Sequence, residues 1–119
     1  MNIADNLNTH IIDAIQDLKG TNITIVDLSH IESAAAPMFI IAQGSSTMNV
    51  AAIADNIREK LLENLHVKPY NYDGYGTDQW IIIDYGSVMV HIFMPEARQR
   101  YNLEELWSDA VITDIPNLD

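Results

Sequence analysis

A glycine-serine pair, Gly44-Ser45, stands between a run of apolar residues and a segment with helical periodicity. Nucleotidyltransferase folds open their active sites with this order of elements, because small residues let a triphosphate approach a helix N-terminus. That chemistry also needs carboxylates to hold metal ions, normally as an Asp-x-Asp pair on the next strand. Here the following segment is helical and carries only Asp55, Glu59 and Glu63, and no Asp-x-Asp or Glu-x-Asp pair follows Gly44. We interpret Gly44-Ser45 as a structural junction and keep a small nucleotide-processing enzyme as the alternative function.

The histidines give little support for a metal site. None of them has the HExxH-like spacing that places two ligands on one helix face. They are His10, His30, His66 and His91. The chain has no cysteine, which excludes a thiolate site. We therefore predict neither a metal nor a cofactor.

Nucleophilic catalysis is supported no better. Without cysteine or a Gly-x-Ser-x-Gly elbow, a hydroxyl nucleophile would depend on isolated serines. Asp84 and His91 could form an orienting acid and a base, but a hairpin turning at Tyr85-Gly86 would pair His91 with Trp80 and leave Asp84 at the turn. We favour a structural or interface role for His91 over a catalytic one, and we predict no enzyme activity.

The charge balance indicates what kind of partner the chain can bind. The 119 residues include 17 acids and 6 bases, for a net charge of −11. Such a surface repels phosphates, which excludes DNA binding through clustered bases. It can steer the chain toward a basic protein, although negative charge also serves solubility alone. We expect no secretory signal, no membrane span and, given the lack of cysteine, a cytoplasmic location.

Periodicity and turn residues predict an α/β fold in which a mixed β-sheet has flanking helices. We expect one domain over residues 1–107 and an acidic C-terminal tail over 108–119. The first predicted elements are a helix over 3–18 closed by Gly20 in the left-handed conformation, a strand over 22–28 and a connection over 33–37. They are followed by a strand over 38–42 that is covered on both faces, a helix capped at Ser46 or Thr47 and running to 65, a short strand over 67–70 and a loop over 71–78. The last ones are a hairpin of 79–84 and 87–93, a short helix from Pro95 and a helical turn over 103–107.

Large aromatic residues gather in the last third of the chain, near the predicted hairpin. They are Trp80, Tyr85, Phe93, Tyr101 and Trp107. Core packing and a protein interface explain them equally well, and sequence leaves the choice open. Aromatic side chains that stay partly exposed beside acids are typical of binding hot spots.

The last third of the chain resembles the signature of the Iojap/ribosomal silencing factor family. The residues that match, in order, are Trp80, Asp84-Tyr85-Gly86, Val88-x-Val90-His91, Phe93 and Arg98-x-x-Tyr101-x-Leu103-Glu104-x-Leu106-Trp107. The resemblance extends back through Asp17-Leu18-Lys19, Val26-Asp27, Gly44-Ser45-Ser46 and Ile53-Ala54-Asp55, so it covers nearly the whole chain. It implies a nucleotidyltransferase-like fold lacking the catalytic carboxylates.

The same resemblance implies a function. Such a protein docks on ribosomal protein fourteen of the large ribosomal subunit, blocks subunit association and represses translation under nutrient limitation. It also implies a homodimer when free. We predict seven partner-binding residues: Trp80, Asp84, Tyr85, His91, Tyr101, Glu104 and Trp107.

Two places depart from the family pattern. Where the family usually carries Asp and then an aromatic, this chain has Pro37 and Met38. Where it usually carries Arg-His, this chain has Met48-Asn49. Both changes remove polar or charged groups, so we assign no binding role to these positions.

Overall fold

The computed structural model describes residues 3–106 and 109–118. Its elements in chain order are α1 (Ile3–Asp17), β1 (Thr21–Asp27), β2 (Met38–Gln43), α2 (Thr47–Leu65), β3 (Asn71–Asp73), β4 (Trp80–Asp84), β5 (Met89–Phe93), α3 (Pro95–Tyr101), α4 (Leu103–Leu106) and β6 (Val111–Ile115). The predicted class, an α/β fold with flanking helices, is confirmed. None of the helices within these residues combines the length and apolar character needed to cross a bilayer.

The strands of the described ranges form one six-stranded sheet in the order β3-β4-β5-β2-β1-β6. Strands β2 and β5 run parallel, and the other neighbours are antiparallel, so the sheet is mixed as predicted. Strand β2 lies near the centre, and its inner residues Phe39–Ala42 are all buried. This agrees with its unbroken apolar sequence, which is typical of a strand covered on both faces.

Helices α1 and α2 pack together on one face of the sheet. Side chains alternate along each strand, so β5 directs Val90 and Ile92 into this core and directs Met89 and Phe93 to the opposite face. A smaller apolar cluster on that opposite face lies beneath α3 and the connection between β1 and β2. Its buried members are Val26, Leu28, Ala36, Phe39, Ile41, Phe93 and Ala97.

Two helix ends were predicted from local signals, with different outcomes. Ser46 caps α2 as predicted, because its side-chain oxygen accepts a hydrogen bond from the Asn49 N–H at 3.0 Å. At the end of α1, however, Lys19 and not Gly20 takes the left-handed conformation, with φ 63°. Gly20 is required for space, since a Cβ there would lie 2.4 Å from Ile15 Cγ2.

Two segments differ from their sequence predictions. The short strand expected over 67–70 lies later, at β3, inside the segment predicted as a loop. Residues 111–115, which we placed in an acidic tail, form β6 and pair antiparallel with β1. A polar chain of contacts ties β6 to the domain: Arg98 Nη2 donates to Thr24 Oγ1 at 2.9 Å, and Thr24 Oγ1 donates to Asp114 Oδ1 at 2.8 Å.

Candidate protein-binding surface

The register of the β4–β5 hairpin decides which predicted residues meet. Trp80 pairs with Phe93, Ile82 with His91, and Asp84 with Met89, so the predicted pairing of His91 with Trp80 is wrong. The reason is a turn displaced by one residue: the Tyr85 N–H donates to Val88 O at 2.9 Å, so the turn is centred on Gly86-Ser87 and not on Tyr85-Gly86. A displacement of two residues keeps every side chain on its face of the sheet. Trp80 and His91 therefore remain diagonal neighbours on the same face.

Trp80 is half-buried and is held by aromatic neighbours and one hydrogen bond. Its indole stacks on Phe93 with ring centroids 5.0 Å apart and meets Tyr101 of α3 at 4.6 Å. The indole Nε1–H donates to His91 Nδ1 at 3.0 Å. Tyr101, at the outer end of this aromatic row, is 48% exposed. The row thus runs from the buried Phe93 to solvent.

His91 lies beneath the surface and does not itself face a partner. It is only 3% exposed and meets the Phe39 ring edge-to-face at a centroid distance of 4.6 Å. Burial lowers the pKa of His91 to about 4, so the imidazole is neutral at physiological pH. Asp84 does not orient it as a catalytic acid would, because Asp84 Oδ1 accepts the Gly86 N–H at 2.8 Å. The structural role favoured from sequence agrees with this environment.

The open sheet face is the name we give to Trp80, Ile82, Asp84, Met89 and Tyr101. The alternation of β4 and β5 puts the four strand residues on the side opposite α1 and α2, and each stays partly exposed. Tyr101 borders them from α3. Ile82 and Met89 were missed in the sequence analysis. The period-two pattern of the hairpin could have found them, because both share a face with Trp80 and His91.

Acidic residues border this apolar centre. Strand β3 pairs with β4 so that Asp73 lies opposite Ile82 and Asn71 lies opposite Asp84. Asp73 is exposed and Asp84 partly exposed. The open sheet face therefore has an aromatic and aliphatic centre with carboxylates along one side.

Tyr85 does not belong to this surface. It follows Asp84 by one residue, lies in the core on the helix side of the sheet and is 5% exposed. Burial raises the pKa of Tyr85 to about 12. Its predicted contact with a partner is therefore corrected to a role in the core. Of the other predicted residues, Trp107 and the side chain of Glu104 lie outside what the structure describes.

The Gly44-Ser45 junction is filled by the protein's own side chain. Asn49 Oδ1 accepts the Ser45 N–H at 3.0 Å, and Asn49 Nδ2 donates to Leu18 O at 3.1 Å. A Cβ on Gly44 would lie 2.9 Å from both Asn49 Oδ1 and Val50 Cγ2, so the glycine is required for close packing. The backbone amide that a phosphate would use is thus already bonded. Across the described ranges, no group of three or more His, Asp or Glu side chains is placed to hold a metal ion.

A concavity lies between α2 and β3. Its volume is about 450 Å³. The Arg58 guanidinium lies 3.8 Å from the Tyr72 ring centroid and donates to Tyr75 Oη at 3.4 Å, and Tyr75 Oη in turn donates to Asp55 Oδ1 at 2.9 Å. Asp55, the acid considered for metal binding, is therefore engaged in this side-chain network. The lining combines Arg58 and Lys68 with Asp55 and Glu59, so charge selects neither an anion nor a cation.

A sheet face with a partly exposed aromatic and aliphatic centre and carboxylates along one side has the layout of a protein-binding surface. Comparison with known proteins identifies the family. The family model described as ribosomal silencing factor during starvation matches residues 2–119. The chain belongs to this family, RsfS.

Individual relatives agree with this assignment. Ribosomal silencing factor RsfS of Bacillus subtilis is 37% identical over 103 residues, covering 86% of this chain and 85% of that protein. A crystal structure of a Chromobacterium violaceum protein superposes with a TM-score of 0.83 at 32% identity, covering 91% of this chain and 88% of that one. A mouse protein named mitochondrial assembly of ribosomal large subunit protein 1 is 34% identical over 73 residues, 59% of this chain and 32% of that protein.

Proposed function

We propose that this protein is a ribosomal silencing factor that binds the large ribosomal subunit through the open sheet face. The partner within the subunit is ribosomal protein fourteen. Occupation of that site blocks association with the small subunit and represses translation when nutrients are limiting. Membership of the RsfS family supports this proposal, as does the mouse relative whose name refers to the large ribosomal subunit.

The observation that carries the proposal is the partial exposure of Trp80, Ile82 and Met89 on one face of the sheet, beside Asp73 and Asp84. Partly exposed aromatic and aliphatic groups supply the desolvated centre that an interface needs. The carboxylates suit a basic partner, and ribosomal proteins are generally basic. A net charge of −11 works in the same direction, since it favours encounter with a positive surface.

The alternative, a small nucleotide-processing enzyme, has less support. It would use the Gly44-Ser45 junction, where Asn49 already bonds the Ser45 amide. It would also need Asp55, whose carboxylate accepts the Tyr75 hydroxyl. Calorimetry with nucleoside triphosphates and Mg²⁺ distinguishes the two functions, because clear micromolar binding would favour the enzyme.

We further propose that the protein acts in the cytoplasm and is a homodimer when free. Both proposals come from the family resemblance described above. Light scattering after size-exclusion chromatography tests the dimer, which predicts twice the 13.4 kDa mass of the chain.

Sucrose-gradient sedimentation with separated ribosomal subunits tests the function itself. We expect the protein to travel with the large subunit and not with the small one. Ile82→Asp places a charge in the centre of the open sheet face and should abolish recovery with the large subunit. Leu62→Asp is the matched control, since Leu62 is 44% exposed on α2, away from that face. Equal recovery of the wild-type protein with both subunits, or with neither, would contradict the proposal.

A further inference from the structure

The orientation of Trp80 depends on a nitrogen atom of its buried neighbour. An indole N–H can only donate, so His91 Nδ1, 3.0 Å away, must offer a lone pair. The proton of the neutral imidazole therefore resides on Nε2. One tautomer of His91 is thus selected by the hydrogen bond from Trp80.

That tautomer leaves a polar group without compensation. His91 Nε2 is buried, and no hydrogen-bond partner for it exists among the described residues. A buried N–H without an acceptor costs roughly 1–3 kcal/mol. If His91 only filled space between Phe39 and Phe93, a phenyl ring would do so without this cost. The cost therefore indicates a task for the other nitrogen, which is to accept the Trp80 N–H.

We propose that His91 is a positioning residue that holds the Trp80 indole in one orientation on the open sheet face before a partner arrives. Stacking on Phe93 and the tilted contact with Tyr101 limit the movement of the indole, and the bond to Nδ1 determines which edge points inward. A side chain that is already ordered loses less entropy when it is buried in an interface. The docking part of this inference rests on the proposed function. The orientation part concerns the free protein alone.

Two substitutions separate positioning from packing. His91→Asn retains an acceptor, because Asn Oδ1 can occupy the place of Nδ1, but it loses the ring. His91→Phe retains a ring of similar size and loses the acceptor. A positioning role predicts that Asn preserves the Trp80 orientation better than Phe, whereas a packing role predicts the reverse.

Nuclear magnetic resonance of the free protein gives the first measurement. At neutral pH the nitrogen shifts of His91 should show a proton on Nε2 and none on Nδ1. The chain has one other tryptophan, Trp107, so a Trp107→Phe variant identifies the signal of the Trp80 indole proton. In His91→Asn this proton should keep its chemical shift and its slow exchange with solvent. In His91→Phe its chemical shift should change and its exchange should become fast. A proton on Nδ1, or an unchanged Trp80 signal in His91→Phe, would overturn the orientation part.

Binding of the same proteins to purified large subunits gives the second measurement. We expect His91→Phe to weaken binding about tenfold and His91→Asn to weaken it less, since an unsatisfied indole N–H must turn toward water or stay unpaired. If the resonance data hold and both variants bind as the wild type does, the docking part is wrong while the proposed function stands. If the wild-type protein fails to bind, the proposed function and the docking part fail together, and the resonance data still decide the orientation part.

Discussion

Asp73 of β3 lies directly opposite Ile82 of β4 in the sheet, so a carboxylate borders the apolar centre of the open sheet face. Asp84, two residues beyond Ile82, adds a second carboxylate on the same side of the sheet. Both acids also accept backbone amides, Asp73 from Gly74 and Asp84 from Gly86, each at 2.8 Å. Since Asn offers the same oxygen acceptor, the charge can be removed while the local turn geometry is kept.

The double variant Asp73→Asn/Asp84→Asn should bind the large subunit with slower association and little change in dissociation. Exposed charges act mainly on encounter, and salt screens them beyond about 8–10 Å at physiological ionic strength. We therefore expect a several-fold loss of association rate at low salt that disappears at high salt, measured by stopped-flow binding. The control Asp13→Asn/Asp17→Asn makes the same charge change at exposed positions of α1. If both double variants slowed association equally, net charge and not the border of the open sheet face would be responsible.

The buried His91 should make the fold sensitive to acid. Its pKa is lowered to about 4 from 6.5, so between these values the unfolded chain binds a proton that the native protein excludes. His91 leaves the free energy of unfolding unchanged above about pH 6.5. As the pH falls from 6.5 toward 4, this group lowers the free energy of unfolding by at most about 1.4 kcal/mol per pH unit. Urea unfolding of the wild type and His91→Phe, compared at pH 7 and pH 4.5, should show a smaller loss in the variant.

The surroundings of His91 determine how this result is interpreted. The charged or titratable groups on the elements around it are Asp84 on β4 and Glu96, Arg98, Arg100 and Tyr101 on α3. Asp84 accepts the Gly86 amide, and Arg98 donates to Thr24. His66→Asn is the control for loss of a histidine, because His66 is exposed and its left-handed backbone, φ 55°, also suits Asn. Equal loss of stability in the wild type and His91→Phe would contradict the assignment to His91.

Tyr85 should respond to mutation as a core residue. Its hydroxyl is buried and has no hydrogen-bond partner in the part of the chain that the structure describes, so Tyr85→Phe should leave stability unchanged or raise it slightly. Tyr85→Ala should cost about 3–5 kcal/mol, as truncations of large buried aromatics do. Denaturant unfolding measures both effects, and Tyr85→Phe should bind the large subunit like the wild type. If Tyr85→Phe were stable but failed to bind, the hydroxyl of Tyr85 would be needed at the interface, which would contradict its assignment to the core.

Local sequence signals determined much of the fold. The apolar run of β2, the Ser46 cap, Pro95 at the start of α3 and Gly86 in the hairpin turn, with φ 84°, act through steric and hydrogen-bonding preferences of a few neighbouring residues. Such preferences depend on the segment itself and not on the rest of the fold. They also place Trp80 and His91 on one face of a strand pair, because alternation is a property of the strand itself.

Tertiary structure decided the rest. Strand β6 is an edge strand with mostly exposed side chains, so its sequence resembles a tail, and it is a strand because its backbone pairs with β1. The hairpin register followed from the Tyr85–Val88 turn, and burial of Tyr85 followed from its position beneath the helices. Which aromatics remain exposed was decided by where α3 and the β1–β2 connection end, since coverage of a sheet face depends on distant segments and not on the strand that carries the side chain.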